Sequence, residues 1–188
     1  MGNTIYLGTA NQGMLKFDIG QEVFSIYPQI GNGCIKDLVP VGNDTLYVGI
    51  NGSGVKIIKA SSGQEITSIE HSIQEDAICS NAVYSLLKDK NILYIGTYMG
   101  GMSYTPTRGN TFSIYSFKDK FDSHNLNVRA FWIGKQERRV IGTRDGLYYI
   151  SEEENIVKHY TIKSSILRSD IILSVKPLGE DYLIGTYG

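Results

Sequence analysis

Three observations predict an all-β fold. One glycine-anchored motif occurs five times, each period holds four short strand-like runs, and no long amphipathic helix interrupts them. The motif is Ile5-Tyr6-Leu7-Gly8-Thr9, Leu46-Tyr47-Val48-Gly49-Ile50, Leu93-Tyr94-Ile95-Gly96-Thr97, Arg139-Val140-Ile141-Gly142-Thr143 and Tyr182-Leu183-Ile184-Gly185-Thr186. Its anchoring glycines lie 41, 47, 46 and 43 residues apart. Self-similarity at this period marks a repeat architecture, and four antiparallel strands per unit make a β-propeller blade. A β-sandwich is the competing all-β fold, but it requires no such period. The expected units are 1–32, 33–80, 81–125, 126–168 and 169–188, about four blades of a partial propeller.

The first run of each unit has a V/I-x-x-L/V/F core: Ile35 to Leu38, Val83 to Leu86, Val128 to Phe131 and Ile172 to Val175. A nearly continuous apolar run suits a strand buried on both faces. The second run is the anchor itself. The third opens on a second glycine, Gly13, Gly54, Gly101 or Gly146, four or five residues after the anchor. Two such runs joined by a short polar loop form a hairpin, with that glycine supplying a positive φ.

The fourth run, Phe24 to Tyr27, Ile66 to Ile69, Phe112 to Tyr115 and Val157 to Tyr160, mixes aromatic and β-branched residues with polar ones. That composition fits an outer, half-exposed strand. The turns before it carry Ile19-Gly20, Ser62-Gly63, Arg108-Gly109-Asn110 and Glu152 to Asn155. Residues 70–81 and 116–127 are the longest links; the first hints at a helical turn, but its place in the repeat says strand followed by loop.

Strand counting gives three runs in the first unit, four in each of the next three and two in the last. These seventeen exceed the sixteen of a closed four-bladed ring. The expectation is an open arc whose ends need further blades or a second copy of the chain.

Composition narrows the function classes. Lys and Arg number 18 against 19 Asp and Glu, with no basic stripe, so nucleic acid is not an expected partner. No run of 18 apolar residues exists to span a membrane, and none is expected to contact one. The chain enters a strand at once, without a signal-peptide pattern, which fits either a cytosolic protein or a piece of a longer exported one. Cys34 and Cys79 lack a C-x-x-C spacing and read as two buried small residues, with a disulfide between neighbouring units as the alternative.

Catalytic and metal constellations are not expected. His71, His124 and His159 lie far apart, no nucleophile elbow, P-loop or dinucleotide fingerprint occurs, and Gly52-Ser53-Gly54 is turn chemistry. No cofactor is expected. Ligand contacts should sit in the loops between second and third runs, which supply Asn11, Gln12, Asn51, Tyr98, Arg144 and Asp145. Amides, an aromatic ring and an Arg–Asp pair suit sugar recognition. Asn81, Asn127 and Asp170, expected at the opposite mouth of the blades, read as turn caps. Arg129 and Trp132 are unusual on an inner strand, Trp132 as core.

Runs one to three read V-x-S-L-x-x-D followed by L-Y-I-G-T-x-x-G-G-M from Val83 to Met102. This resembles the two-component regulator propeller repeat along the whole chain. The family usually carries Trp in the anchor, where Tyr6, Tyr47, Tyr94, Val140 and Leu183 stand here, and its Asp after run one survives as Asp89. The resemblance implies a non-enzymatic, periplasmic ligand-sensing propeller of a membrane-bound hybrid histidine kinase. It would bind an oligosaccharide or provide a platform for dimerisation. The family's kinase, receiver and Ig-like parts are absent from this chain. A general protein–protein scaffold is the alternative, and a propeller lyase or glycosidase the third.

Overall fold

The computed structural model describes residues 3–73, 77–106, 112–115, 127–134, 138–151 and 156–188. The turns at 108–110 and 152–155, most of the link 116–127 and His124 lie outside them. Among the described residues seventeen strands form five antiparallel sheets. The first sheet holds β1 (Thr4–Gly8), β2 (Met14–Asp18) and β3 (Val23–Ile26). Three four-stranded sheets follow: β4 (Ile35–Val41) to β7 (Glu65–Ile69), β8 (Val83–Asp89) to β11 (Ser113–Tyr115), and β12 (Ala130–Ile133) to β15 (Ile156–Tyr160). Strands β16 (Ile172–Leu178) and β17 (Asp181–Thr186) form the last. Between them, β5 (Thr45–Ile50), β9 (Ile92–Thr97) and β13 (Arg139–Gly142) carry the anchor, and β6 (Gly54–Lys59), β10 (Gly101–Pro106) and β14 (Leu147–Ser151) follow it.

Each complete sheet is a propeller blade with strands paired in chain order. Among the described residues each sheet packs on the next in chain order, and no contact of similar extent joins the last sheet to the first, so the blades form an arc. Residues 70–73 and 77–81, after β7, contain neither strand nor helix.

Blade stacking explains the anchoring glycine. A Cβ on Gly8 would lie 2.6 Å from Ile35 Cγ2, one on Gly49 3.0 Å from Val83 Cγ1, and one on Gly142 2.5 Å from Ile172 Cγ2. The opening β-branched residue of each first run therefore sits in a socket made by the preceding blade's glycine. The hydrophobic clusters correspondingly join neighbouring sheets, as where Tyr94 and Met102 pack with Val128, Phe131 and Ile141. An isolated four-stranded sheet cannot bury both faces, so stacking supplies the core.

The rest of the motif closes the hairpin. The hydroxyls of Thr9, Thr97 and Thr143 donate to the carbonyls of Gly13, Gly101 and Gly146 at 2.8, 3.1 and 3.0 Å. Those glycines and Gly54 hold φ values of 66° to 101°, as their place in the turn requires. Ile50 replaces the threonine in the second blade, where it is as buried as Thr97 and Thr143 but has no hydroxyl to lock the turn.

Two expectations need correction. Burial on both faces belongs to the second run: β5 and β9 are buried from their second residue onward, whereas β4 buries only Ile35 and β16 only Ile172 and Val175. The first run is innermost and one of its faces lines the central channel, where no neighbouring sheet covers it. Asn81, Asn127 and Asp170 lie at the same mouth as the loops between second and third runs. Antiparallel pairing of Val83 with Thr97 sets the start of run one beside the end of run two. All three do cap turns: Asn81 Oδ1 accepts the His71 amide, Asn127 Oδ1 the Met99 amide and Asp170 Oδ1 the Ile162 amide, at 2.6 to 2.8 Å.

Both cysteines are free and half-buried. Cys79 Sγ lies 3.0 Å from Ser103 Oγ and 3.3 Å from Thr97 Oγ1. Trp132 packs between blades, its ring 5.1 Å from Tyr182 in an edge-on contact.

Candidate functional site at the channel mouth

The innermost strands β4, β8, β12 and β16 surround a cavity of about 270 Å³. A β-bulge near the start of three of them shapes its rim. Ile35 pairs with Ile50 and Asp37 with Gly49, leaving Lys36 without a partner in the ladder. Tyr84 is skipped in the same way between Val83 and Ser85, and Leu173 between Ile172 and Ser174. A bulge turns the extra side chain away from the regular pleat, which is why bulges recur beside functional sites. Arg129 occupies the equivalent position in the remaining blade. Lys36, Tyr84, Arg129 and Leu173 thus form one layer of the channel, one residue from each blade.

Tyr84 is the centre of this layer. Lys36 Nζ lies 4.8 Å from its ring centroid and the Arg129 guanidinium 5.6 Å. Tyr98, from the loop between β9 and β10, stacks on it at 5.7 Å with 26° between ring planes. The ring's electron-rich face holds two cations close together.

Below this layer Asp37 fastens two blades, accepting the Leu86 amide at 2.8 Å and the Leu38 amide at 2.9 Å. Burial raises its carboxyl above the ordinary 3.8, against the opposing pull of those amides and of Lys176 on β16. A raised folded-state pKa favours the protonated form in the fold. The contribution to stability is therefore full below the unfolded value of 3.8 and lost as pH rises through the higher folded value. Asp37→Asn removes this dependence, so the melting temperature of the variant minus that of the native chain should increase between about pH 3 and pH 7. A difference constant across that range would show that burial does not govern this carboxyl.

The residues expected from sequence to bind ligand fall into two groups. Tyr98 joins the channel layer through Tyr84. Asn11 and Gln12 in one loop, and Asn51 and Arg144 in two others, are exposed loop residues of three different blades. The Gln12 amide donates to Thr9 Oγ1, and Asn51 bridges to Ala82. Asp145 serves its own turn: its amide donates to Thr143 Oγ1, and its carboxylate lies 3.4 Å from the Tyr148 hydroxyl. His159 bonds the Asp145 carbonyl and stacks on Tyr148 with centroids 4.2 Å apart, a capping role. Sequence reasoning singled out Arg129 but missed Lys36 and Tyr84. Their signal was present as the second position of the V-x-S-L run, where every other blade reading favoured an apolar strand.

Among the described residues no group of three or more His, Cys, Asp or Glu is placed to hold a metal ion. The arrangement is suited to binding: two cations, an aromatic face and an anchored carboxylate around a small channel.

These features define an arc of propeller blades with a polar channel mouth. Solved structures share this fold. The chain is similar to the extracellular domain described as the hybrid two-component system BT4673 of B. thetaiotaomicron, with a TM-score of 0.75 and 19% identity over 98% of this chain and 25% of that one. It is likewise similar to the corresponding domain of BT3049 from the same organism, with a TM-score of 0.74 and 20% identity over 98% of this chain and 24% of that one. The propeller of Cps50 (Swd1) from Myceliophteria thermophila gives a TM-score of 0.68 and 13% identity, over 98% of this chain and 59% of that one. The chain spans about a quarter of the length of the two-component chains it matches. No protein-family model and no curated protein matches it. At these identities the likeness establishes the propeller fold, the one expected from the anchor motif.

Proposed function

We propose that this chain is part of an extracytoplasmic, ligand-sensing propeller of a membrane-bound hybrid two-component regulator, periplasmic in location and responsive to oligosaccharides. The observation that carries this reading is the match of nearly the whole chain to extracellular domains described as such systems. The anchor motif, which resembles the regulator propeller repeat, points the same way independently of the coordinates. In this reading the chain performs no chemistry itself. It presents loop residues Asn11, Gln12, Asn51, Tyr98, Arg144 and Asp145 and the channel layer to a ligand, and further blades or a second copy complete the assembly.

Ligand binding to the folded state stabilises it by an amount set by the ratio of concentration to Kd. A panel of plant and host oligosaccharides screened by thermal unfolding should contain one that raises the melting temperature in proportion to the logarithm of its concentration. At one hundred times its Kd the gain is about 2.7 kcal/mol. A panel without any such shift, together with capture of a defined protein partner, would favour a scaffold propeller.

A further inference from the structure

Among the described residues two buried side-chain polar atoms have no hydrogen-bond partner, Ser85 Oγ and Arg129 Nε. Both residues line the same channel cavity. Buried donors are almost always satisfied, so the orphaned Arg129 Nε calls for a specific explanation, whereas Ser85 Oγ lies against Gly96 of the adjoining strand. Arg129 packs against the Tyr84 ring, a cation–π contact that does not take up the Nε proton. Lys36 approaches the same ring from the preceding blade, and Lys176 faces Asp37 from β16. Asp37 is the single acid among the cavity's residues, and its oxygens already accept two backbone amides. Three cations therefore surround a cavity whose one carboxylate is engaged elsewhere.

We infer that the channel mouth is an oxyanion site, taking a carboxylate or a sulfate group between Arg129 and Lys36, with Tyr84 and Tyr98 as the adjoining aromatic platform. An arginine presents planar donors that match such a group, and charge-assisted bonds of this kind are about twice as strong as neutral ones. The channel layer holds the cations ready: each sits on a bulge or its equivalent on a rigid inner strand. Tyr98 reaches in from the loop, where the ring of a sugar carrying the acid would stack. The inference rests on the proposed sensing function for its saccharide source and on the cavity alone for its anion chemistry. A uronic-acid or sulfated oligosaccharide is the ligand class that meets both.

Calorimetric titration of the whole chain tests this with three probes: trigalacturonate, its neutral methyl ester and sodium sulfate. Trigalacturonate is expected to bind more tightly than the ester, with an affinity that falls as NaCl is raised. Arg129→Gln should weaken it at least about tenfold, and Arg129→Lys should retain part of the loss. Lys36→Met, at an exposed position that the fold tolerates, keeps the test independent of any effect of Arg129 on folding. It should also weaken binding, while Lys56→Ala, whose lysine pairs with Glu65 on the outer strands, should leave it unchanged. Binding of sulfate alone that depends on Arg129 would support the anion site and count against the saccharide-sensing function. Binding of the neutral ester as tightly as of the acid, or acid binding indifferent to both Arg129→Gln and Lys36→Met, would overturn the anion site and leave sensing intact. No binding of either anion up to about 10 mM would overturn it outright.

Discussion

Gly96→Val is expected to destabilise the chain by about 3–5 kcal/mol in urea unfolding. The new Cβ would stand 2.3 Å from Ser85 Oγ, 2.9 Å from Val128 Cγ1 and 3.0 Å from the Val128 carbonyl oxygen. The serine hydroxyl could rotate away, but the carbonyl belongs to the backbone at the entrance to β12. Relief would require the third and fourth blades to move apart, and that movement opens the cluster joining Tyr94 and Met102 to Val128, Phe131 and Ile141. Valine adds two further methyl groups to a socket already too small for one. Lys163→Ala, at an exposed position, should change stability by less than about 0.5 kcal/mol. Comparable losses in the two variants would show that Gly96 is not where the blades meet.

The converse experiment empties a socket. Ile172 is fully buried, lies against Gly142 and donates its amide to the Thr143 carbonyl at 2.8 Å. With Val140 and Val175 it forms the cluster that attaches the β16–β17 hairpin to the fourth blade. Ile172→Ala should cost about 3 kcal/mol, combining lost burial with the cavity left behind. Because that hairpin meets the arc on one side only, the loss should concentrate there. Hydrogen exchange should accelerate in the amides of β16 and β17 while those of β5 and β9 keep their protection. Equal acceleration along all strands would mean that the arc unfolds as one unit.

Much of the fold was legible in the residues. The spacing of Gly8, Gly49, Gly96, Gly142 and Gly185 set the blade period, and the second glycines marked hairpin turns that do hold positive φ. The Gly-Thr pair, read as the end of a strand, proved also to be a turn lock through the threonine hydroxyl. The candidate site was legible only in part. Tyr98 was found because loops between strands are polar and an aromatic stands out there. Lys36 and Tyr84 were hidden because the side chain's direction depends on a bulge, and a bulge is a matter of register between two strands that no single run encodes. Asn81 and its equivalents were assigned to the wrong mouth for a simpler reason: antiparallel pairing alone sets the start of run one beside the end of run two.

Local sequence, then, determined which residues form strands, where the chain turns and where one blade must touch the next, since propensity, glycine placement and period all act over a few residues. Burial was decided by stacking. The motif of β5 and of β9 is enclosed because a blade lies on either side. The same motif in β1 leaves Ile5 and Leu7 45% and 37% exposed, and in β17 leaves Leu183 57% exposed. Only the tertiary structure made the channel, because its charge comes from Lys36, Arg129 and Lys176, residues 93 and 47 positions apart that are brought together when the inner strands converge on one axis.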